Sequence, residues 1–431
     1  MNMNISGNAS REKQRLRAVV TTCAALALLT ACAGDAGNAD ASDGGEGFPY
    51  GAEQSEVDAV LEGLEPVQLT VQAGAPAENS ISGRRMMDFK EEIETRSNGQ
   101  IEIDIAWGMA VAGYPEAVDA VVDGRVDISY HLVSYEPQRF PEASAIGTAL
   151  GLVEYSPKVG EMVTNAVANE IGWNDEALLD RYEAEGVTTI TPLLGNGAYS
   201  LNCNSEINTA EDLAGSQVRA GSAGQSDAIA HFDAVPSSLE FTEAFEALQR
   251  NTIDCDLSPM SAKEISGIYE AAPHLAYSTQ ANWPRFSGTY IAGPSFEQLP
   301  LAYQQIIFDS AAIITSGSAQ SYVDSNAQHI QDLASVDGTI TEFDDAFQEE
   351  LQQVLIGQVE EQIAEGYLPE DTVANIEELT EKWSQRVADL GFEDGGDMES
   401  MDEWYSADED WSSYAWDMWE NSGALDHRPG N

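Results

Sequence analysis

Apolar residues alternate at Val67, Leu69 and Val71, recur at Met86, Phe89 and Ile93 with the i, i+3, i+7 spacing of a helix face, and alternate again at Ile101, Ile103 and Ile105. Ser97-Asn98-Gly99 separates the second and third stretches as a helix stop signal. A further helical pattern runs through Ala117, Val118, Val121 and Val122, turns at Asp123-Gly124 and leads into a buried strand at Val126-Asp127-Ile128. Strand, helix, strand, helix, strand at this spacing predicts a parallel sheet covered by helices. The pattern restarts with a strand over 187–194 and another at Gln217-Val218-Arg219. A helix ending near Phe232, a helix over 242–250 and a short strand over 252–256 follow. Two α/β sheets joined by crossing strands imply two lobes with a cleft between them. Open parallel sheets collect ligands beyond the carboxyl ends of their strands, where the topology reverses. Leu299-Pro300 opens a long Ala- and Gln-rich helix toward Leu333, and a strand at 339–341 with a helix over 347–364 completes the body.

The chain has 431 residues, more than one hydrophobic core usually covers. Residues 65–195 are expected to form a first lobe and 196–289 a second, each completed by part of 290–390. Residues 32–64, rich in Gly, Ala, Asp and Ser, read as a flexible tether. Residues 391–431 form an acidic extension carrying Trp404, Tyr405, Trp411, Tyr414, Trp416 and Trp419. Acidic disordered tails are poor in aromatics, so this segment is expected to dock onto the body; the alternative is an arm that contacts a partner.

Residues 1–31 read as a signal peptide. Arg11, Lys13, Arg15 and Arg17 precede an apolar run, Ala18 to Leu29, that is too short to span a bilayer comfortably. Leu29-Thr30-Ala31-Cys32 looks like a bacterial lipoprotein box, which implies cleavage before Cys32 and a membrane anchor through its acyl chains. The other reading is ordinary secretion with an incidental cysteine.

The net charge is −55, from 74 acidic and 19 basic residues; loss of residues 1–31 removes four basic and one acidic residue, giving −58. Such a surface excludes nucleic acid as a partner through a basic face. It suits a secreted or salt-exposed protein, and compositional bias of the lineage would produce it equally. Cys203 and Cys255 remain as one pair in an oxidising compartment, where a disulfide is expected in place of two buried thiols. Neither has a second cysteine or a histidine at ligand spacing, so no metal or cofactor is expected.

Four stretches carry a resemblance. They are Phe89 to Ile101, with its Ser97-Asn98-Gly99 stop; Glu116 to Ile128, with a Gly turn before Val126-Asp127; Ala210 to Arg219, reading Glu211-Asp212-Leu213-Ala214-Gly215-Ser216-Gln217-Val218-Arg219; and Phe241 to Asp254. In this order, from about Gln68 to Gln362, the chain resembles the solute-binding proteins of tripartite ATP-independent periplasmic (TRAP) transporters. The resemblance implies an α/β, two-lobed periplasmic-binding-protein-like fold with an interlobe ligand cleft and long C-terminal helices. It also implies separate small and large membrane subunits as partners, and a location at the outer face of the cytoplasmic membrane.

By residue chemistry alone, Arg219 on so acidic a chain is either ion-paired or ligand-facing. By resemblance it is the residue that clamps a small organic acid, through the planar fork a guanidinium offers a carboxylate. Phe241 is then a wall of the cleft, and Glu243 on the same helix lies near it. The family often has a second arginine where this chain reads Gly195-Asn196-Gly197-Ala198-Tyr199, and Ser258 stands in place of a frequent asparagine. Tyr199, Ser258, Asn282 and Trp283 are candidate replacement contacts.

A secreted hydrolase is the rival class. Ala220-Gly221-Ser222-Ala223-Gly224 lacks the first glycine of a nucleophile elbow, and the five histidines show no metal-ligand spacing. No catalytic residue is expected. A binding protein of an ATP-driven importer or signalling receptor would share the architecture and the anchor.

Overall fold

The computed structural model describes residues 45–431 apart from Glu240; the signal peptide, Cys32 and residues 32–44 of the expected tether lie outside the described residues. Among the described residues there are eleven strands: β1 (Val67–Gln72), β2 (Ile101–Ala106), β3 (Ile128–Leu132), β4 (Thr188–Gly195), β5 (Tyr199–Cys203), β6 (Gln217–Ala220), β7 (Val235–Ser238), β8 (Cys255–Pro259), β9 (His274–Tyr277), β10 (Ser287–Ala292) and β11 (Thr339–Glu342). They form two sheets, ordered β2-β1-β3-β10-β4 and β11-β9-β5-β8-β6-β7, one to each lobe of a two-lobed α/β fold.

The alternating pattern at Val67–Val71 and Ile101–Ile105 gives the parallel pair β1–β2, and β3 joins β1 in parallel. The parallel sheet expected from the first three strands is present, and the strands on either side of the crossings between lobes add antiparallel neighbours to it. The chain leaves β4 and enters the second sheet at once as β5, antiparallel to β8 and β9. It returns as β10, antiparallel to β3 and β4. A chain that passes from one sheet to the next keeps its direction, so each entering strand runs against the parallel strands it meets.

The helix Arg84–Arg96 presents Arg85, Met86, Phe89 and Ile93 to the interior, the i, i+4 rows of one face. It lies against the long helix Leu301–Ser335. That long helix is buried on nearly every side although it is rich in Ser and Thr. Its hydroxyls are satisfied locally: Ser310, Thr315 and Ser318 each donate to the carbonyl four residues earlier, at 2.7 to 2.8 Å.

Packing starts earlier than residue 65. Phe48 is buried, and within the stretch read as a tether Gln54–Leu61 is a helix that buries Val57 and Leu61. The acidic extension is also packed: Met401, Trp411, Tyr414, Met418 and Trp419 are buried, and Arg428 forms a two-pronged pair with Asp309 at 2.8 and 2.9 Å. Among the described residues no helix is long and apolar enough to cross a membrane.

Candidate functional site

A cavity of about 870 Å³ is lined from both lobes at the carboxyl ends of parallel strands. Gly74 and Ala75 follow β1, Tyr130 and Leu132 end β3, Arg219 lies near the end of β6, and Ser258 and Pro259 close β8. This is where open α/β sheets place ligands.

Arg219 is 5% exposed. Its Nε donates to the Leu239 carbonyl at 2.9 Å and its Nη1 to the Leu257 carbonyl at 3.2 Å. Main-chain oxygens thus fix the plane of the guanidinium. The Asp256 carboxylate stands behind it at 4.0 Å, beyond direct hydrogen bonding. Asp256 is fully buried and accepts a hydrogen bond from the Ser258 hydroxyl. Lys263 sits on the same side, donating to Ser200 Oγ at 2.8 Å and to the Ser200 carbonyl at 2.7 Å. Burial pushes its ammonium down to about 7, Arg219 adds to that, and Asp256 opposes it. Arg219 is therefore anchored by dipoles and only loosely neutralised, with Phe241 beside it at 5.8 Å from guanidinium to ring centroid.

Of the residues singled out from sequence, Arg219, Tyr199, Phe241 and Ser258 line the cavity together. Three others do not. Glu243 is exposed on the helix Phe241–Gln249, outside the cavity wall. Asn282 is buried behind the wall, where its Oδ1 accepts from the Tyr199 amide at 2.8 Å. Trp283 is a core residue packed against Phe232 and Phe347 at centroid distances of 6.1 and 6.2 Å. Both follow the crossing segment into the interior, so their large or polar side chains fill the joint between sheets. Cys203 and Cys255 form a disulfide at paired positions of β5 and β8, at the end of the ladder away from Tyr199 and Pro259.

Sequence reasoning missed Arg85. It reaches the cavity from the first lobe, 5% exposed, with its guanidinium 5.7 Å from the Tyr130 ring centroid. The available signal was its place four residues before Phe89, on the buried stripe of an otherwise amphipathic helix. Gly317 on the long helix allows the contact, since a Cβ there would lie 2.8 Å from Arg85 Cβ. Tyr114, Tyr130, Tyr135, Phe286 and Tyr322 complete an aromatic wall. Although the chain carries 74 Asp and Glu residues, the described lining includes two arginines and no carboxylate. Among the described residues no group of three His, Cys, Asp or Glu side chains could hold a metal ion.

This arrangement agrees with three comparisons. Residues 73–365 match the family described as "Bacterial extracellular solute-binding protein, family 7". A "solute-binding protein" of Verminephrobacter eiseniae is 23% identical over 237 residues, 54% of this chain and 68% of that one. Two crystal structures share the fold. A sugar acid binding protein from Advenella mimigardefordensis, in complex with galactonate, aligns at TM-score 0.60 and 20% identity over 74% of this chain and 99% of its own. A TRAP solute binding protein from Rhodoferax ferrireducens, with copurified benzoate, aligns at TM-score 0.62 and 19% identity over the same shares. Proteins of this kind are extracytoplasmic and work with membrane subunits. The chain belongs to the bacterial extracellular solute-binding protein family 7, the solute-binding proteins of TRAP transporters.

Proposed function

We propose that this chain captures a small organic acid between its lobes, with Arg219 as the carboxylate clamp. It then passes the acid to separate small and large membrane subunits, held to the outer face of the membrane through acylated Cys32. The observation that carries this reading is a cleft without described carboxylates on a chain of net charge −55. A guanidinium on a described lining without acids favours an anionic ligand, and the galactonate and benzoate held by the two relatives are of that class. Contacts from both lobes stabilise the closed form relative to the open one.

A thermal-shift screen of carboxylic acids, sugar acids and amino acids identifies ligands, because binding the folded state raises the melting temperature. For any hit, Arg219→Ala is expected to weaken binding by about 30-fold or more, the cost of leaving one partner of a buried charge pair alone. Arg219→Lys is expected to recover little, since an ammonium cannot reproduce the bidentate fork. An Arg219→Ala variant that keeps near-native affinity for every hit would sink the assignment.

A further inference from the structure

We propose that Arg85 is a second anion anchor, supplied by the first lobe, and that the cleft is built for an aromatic dicarboxylate. One carboxylate meets Arg219 and the other Arg85, with the ring held between them. This deepens the reading of the cleft as an organic-acid site and rests on it.

The first observation is that Arg85 is buried without an acid. The hydroxyls of Tyr290 and Tyr322 hydrogen-bond to the guanidinium, but among the described residues its Nε and Nη1 have no partner and no carboxylate pairs with it. Its surroundings are the Tyr130 ring and the hydroxyl groups of Tyr290 and Tyr322. Other well-buried arginines of this chain are paired: Arg285 lies 3.3 Å from Glu161, and Arg428 lies 2.8 Å from Asp309. Desolvating a guanidinium without a counter-charge is unfavourable, and an acidic chain could easily have supplied one. Nε and Nη1 are closed off from solvent, so a ligand anion meets the cleft-facing part of the guanidinium and supplies the missing counter-charge. The group cannot swing out easily, because the long helix closes on its backbone at Gly317.

The second observation is the wall between the two cations. Successive ring centroids lie 6.1 Å apart from Tyr130 to Tyr114, 5.8 Å from Tyr114 to Tyr135, 5.7 Å from Tyr135 to Phe286 and 5.9 Å from Phe286 to Tyr199. Arg85 stands at the Tyr130 end. At the other end, the Phe286 ring edge and Arg219 Nη2 both border Gly221, 2.9 and 3.2 Å from where its Cβ would lie. This run of rings, in turn edge-on and stacked, offers apolar faces and edges against which an aromatic body packs. A guanidinium at each end calls for an acid at each end.

The test is calorimetric titration of the purified mature chain with benzoate, the three benzenedicarboxylates and galactonate. At least one dicarboxylate is expected to bind about 100-fold tighter than benzoate, the gain of a second desolvated charge pair. Arg85→Met is expected to bring that dicarboxylate to within about threefold of benzoate measured on the same variant. The ligand-free melting temperature of this variant should stay level or rise, because an unpaired buried charge has been removed; a merely structural arginine would lower it. Arg85→Lys keeps the charge without the fork and should retain part of the preference, and it carries the test if the methionine variant does not fold. A dicarboxylate preference that survives undiminished in either variant overturns the proposal, as does wild-type protein that binds benzoate or galactonate tighter than every dicarboxylate. If Arg219→Ala leaves binding intact, it is the organic-acid clamp that fails, whatever Arg85 does.

Discussion

Trp419 tests whether the acidic extension belongs to the folded body. It lies outside the residues matched by the family, 73–365, yet it is fully buried. Its ring meets Trp173 edge-on at 5.8 Å and Phe308 at 5.2 Å, and Trp173 and Phe308 are themselves 5.6 Å apart. Trp419→Ala removes one corner of this triad. Large-to-small changes of this kind cost about 3–5 kcal/mol, of which each lost aromatic pair supplies about 0.5–1.5 kcal/mol. With a melting entropy of roughly 2.1 cal/mol/K per residue over nearly four hundred residues, the slope is about 0.8 kcal/mol per degree. The expected fall in melting temperature is then about 5 °C for the ligand-free protein in scanning calorimetry. Trp419→Phe, which keeps a ring, should lose less than half of that. Ligand affinity should be unchanged in both, because the extension contributes nothing to the described cavity wall. A Trp419→Ala variant that melts within about 1 °C of wild type would refute the packing argument, and the segment would be an arm that leaves the body unburdened.

Two further outcomes follow from the geometry. Gly221→Ala places a Cβ 2.9 Å from Phe286 Cζ and 3.2 Å from Arg219 Nη2, so both must shift; ligand affinity is expected to fall about tenfold with little change in melting temperature, and unaltered affinity in titration contradicts this. His329 is pushed down to about 3 by burial, with Lys263 adding to the effect, against about 6.5 in an unfolded chain. Between those values the unfolded chain holds the extra proton, so stability falls as pH drops, by about 2–3 kcal/mol from pH 6.5 to 4.5. His329→Asn should remove that part of the slope in urea unfolding; identical slopes for variant and wild type would count against it.

The elements legible in the sequence are those with one wet face. β2 alternates buried and exposed residues as its pattern requires, and the helix Arg84–Arg96 shows its stripe. Two of the elements that escaped are buried almost all round. Every residue of β10, Ser287–Ala292, is buried, so no polar phase marks it as a strand. The helix Val159–Asn174 buries Gly160 to Asn169 without a break, and its sequence shows no amphipathic face. The strand expected over 252–256 starts instead at Cys255, because Ile253 is buried in a separate cluster with Ala244, Leu248 and Ile268. Its apolar character reports packing under the helix Phe241–Gln249, not membership of the ladder.

The cleft divides along the same line. Arg219, Phe241, Tyr199 and Ser258 could be found because a motif or a strand end marks them, while Asn282 and Trp283 were drawn from a segment whose direction the sequence does not disclose. Arg85 is the instructive case. The arithmetic that puts Phe89 and Ile93 on the buried face also puts Arg85 there, one turn before Phe89. Its neighbour Arg84 points outward, to Asp88 at 3.7 Å, as an ordinary helix-surface pair. A cation on an apolar stripe must end either against an acid or against a ligand. With 74 acids on the chain, a pairing would have been easy to provide. That none is made among the described residues is a property of three segments meeting: the helix start at Arg84, the long helix at Gly317 and the tyrosines of β3 and β10. Sequence can place such a cation on the inner face of a helix; only the fold shows that the space in front of it opens into the cleft.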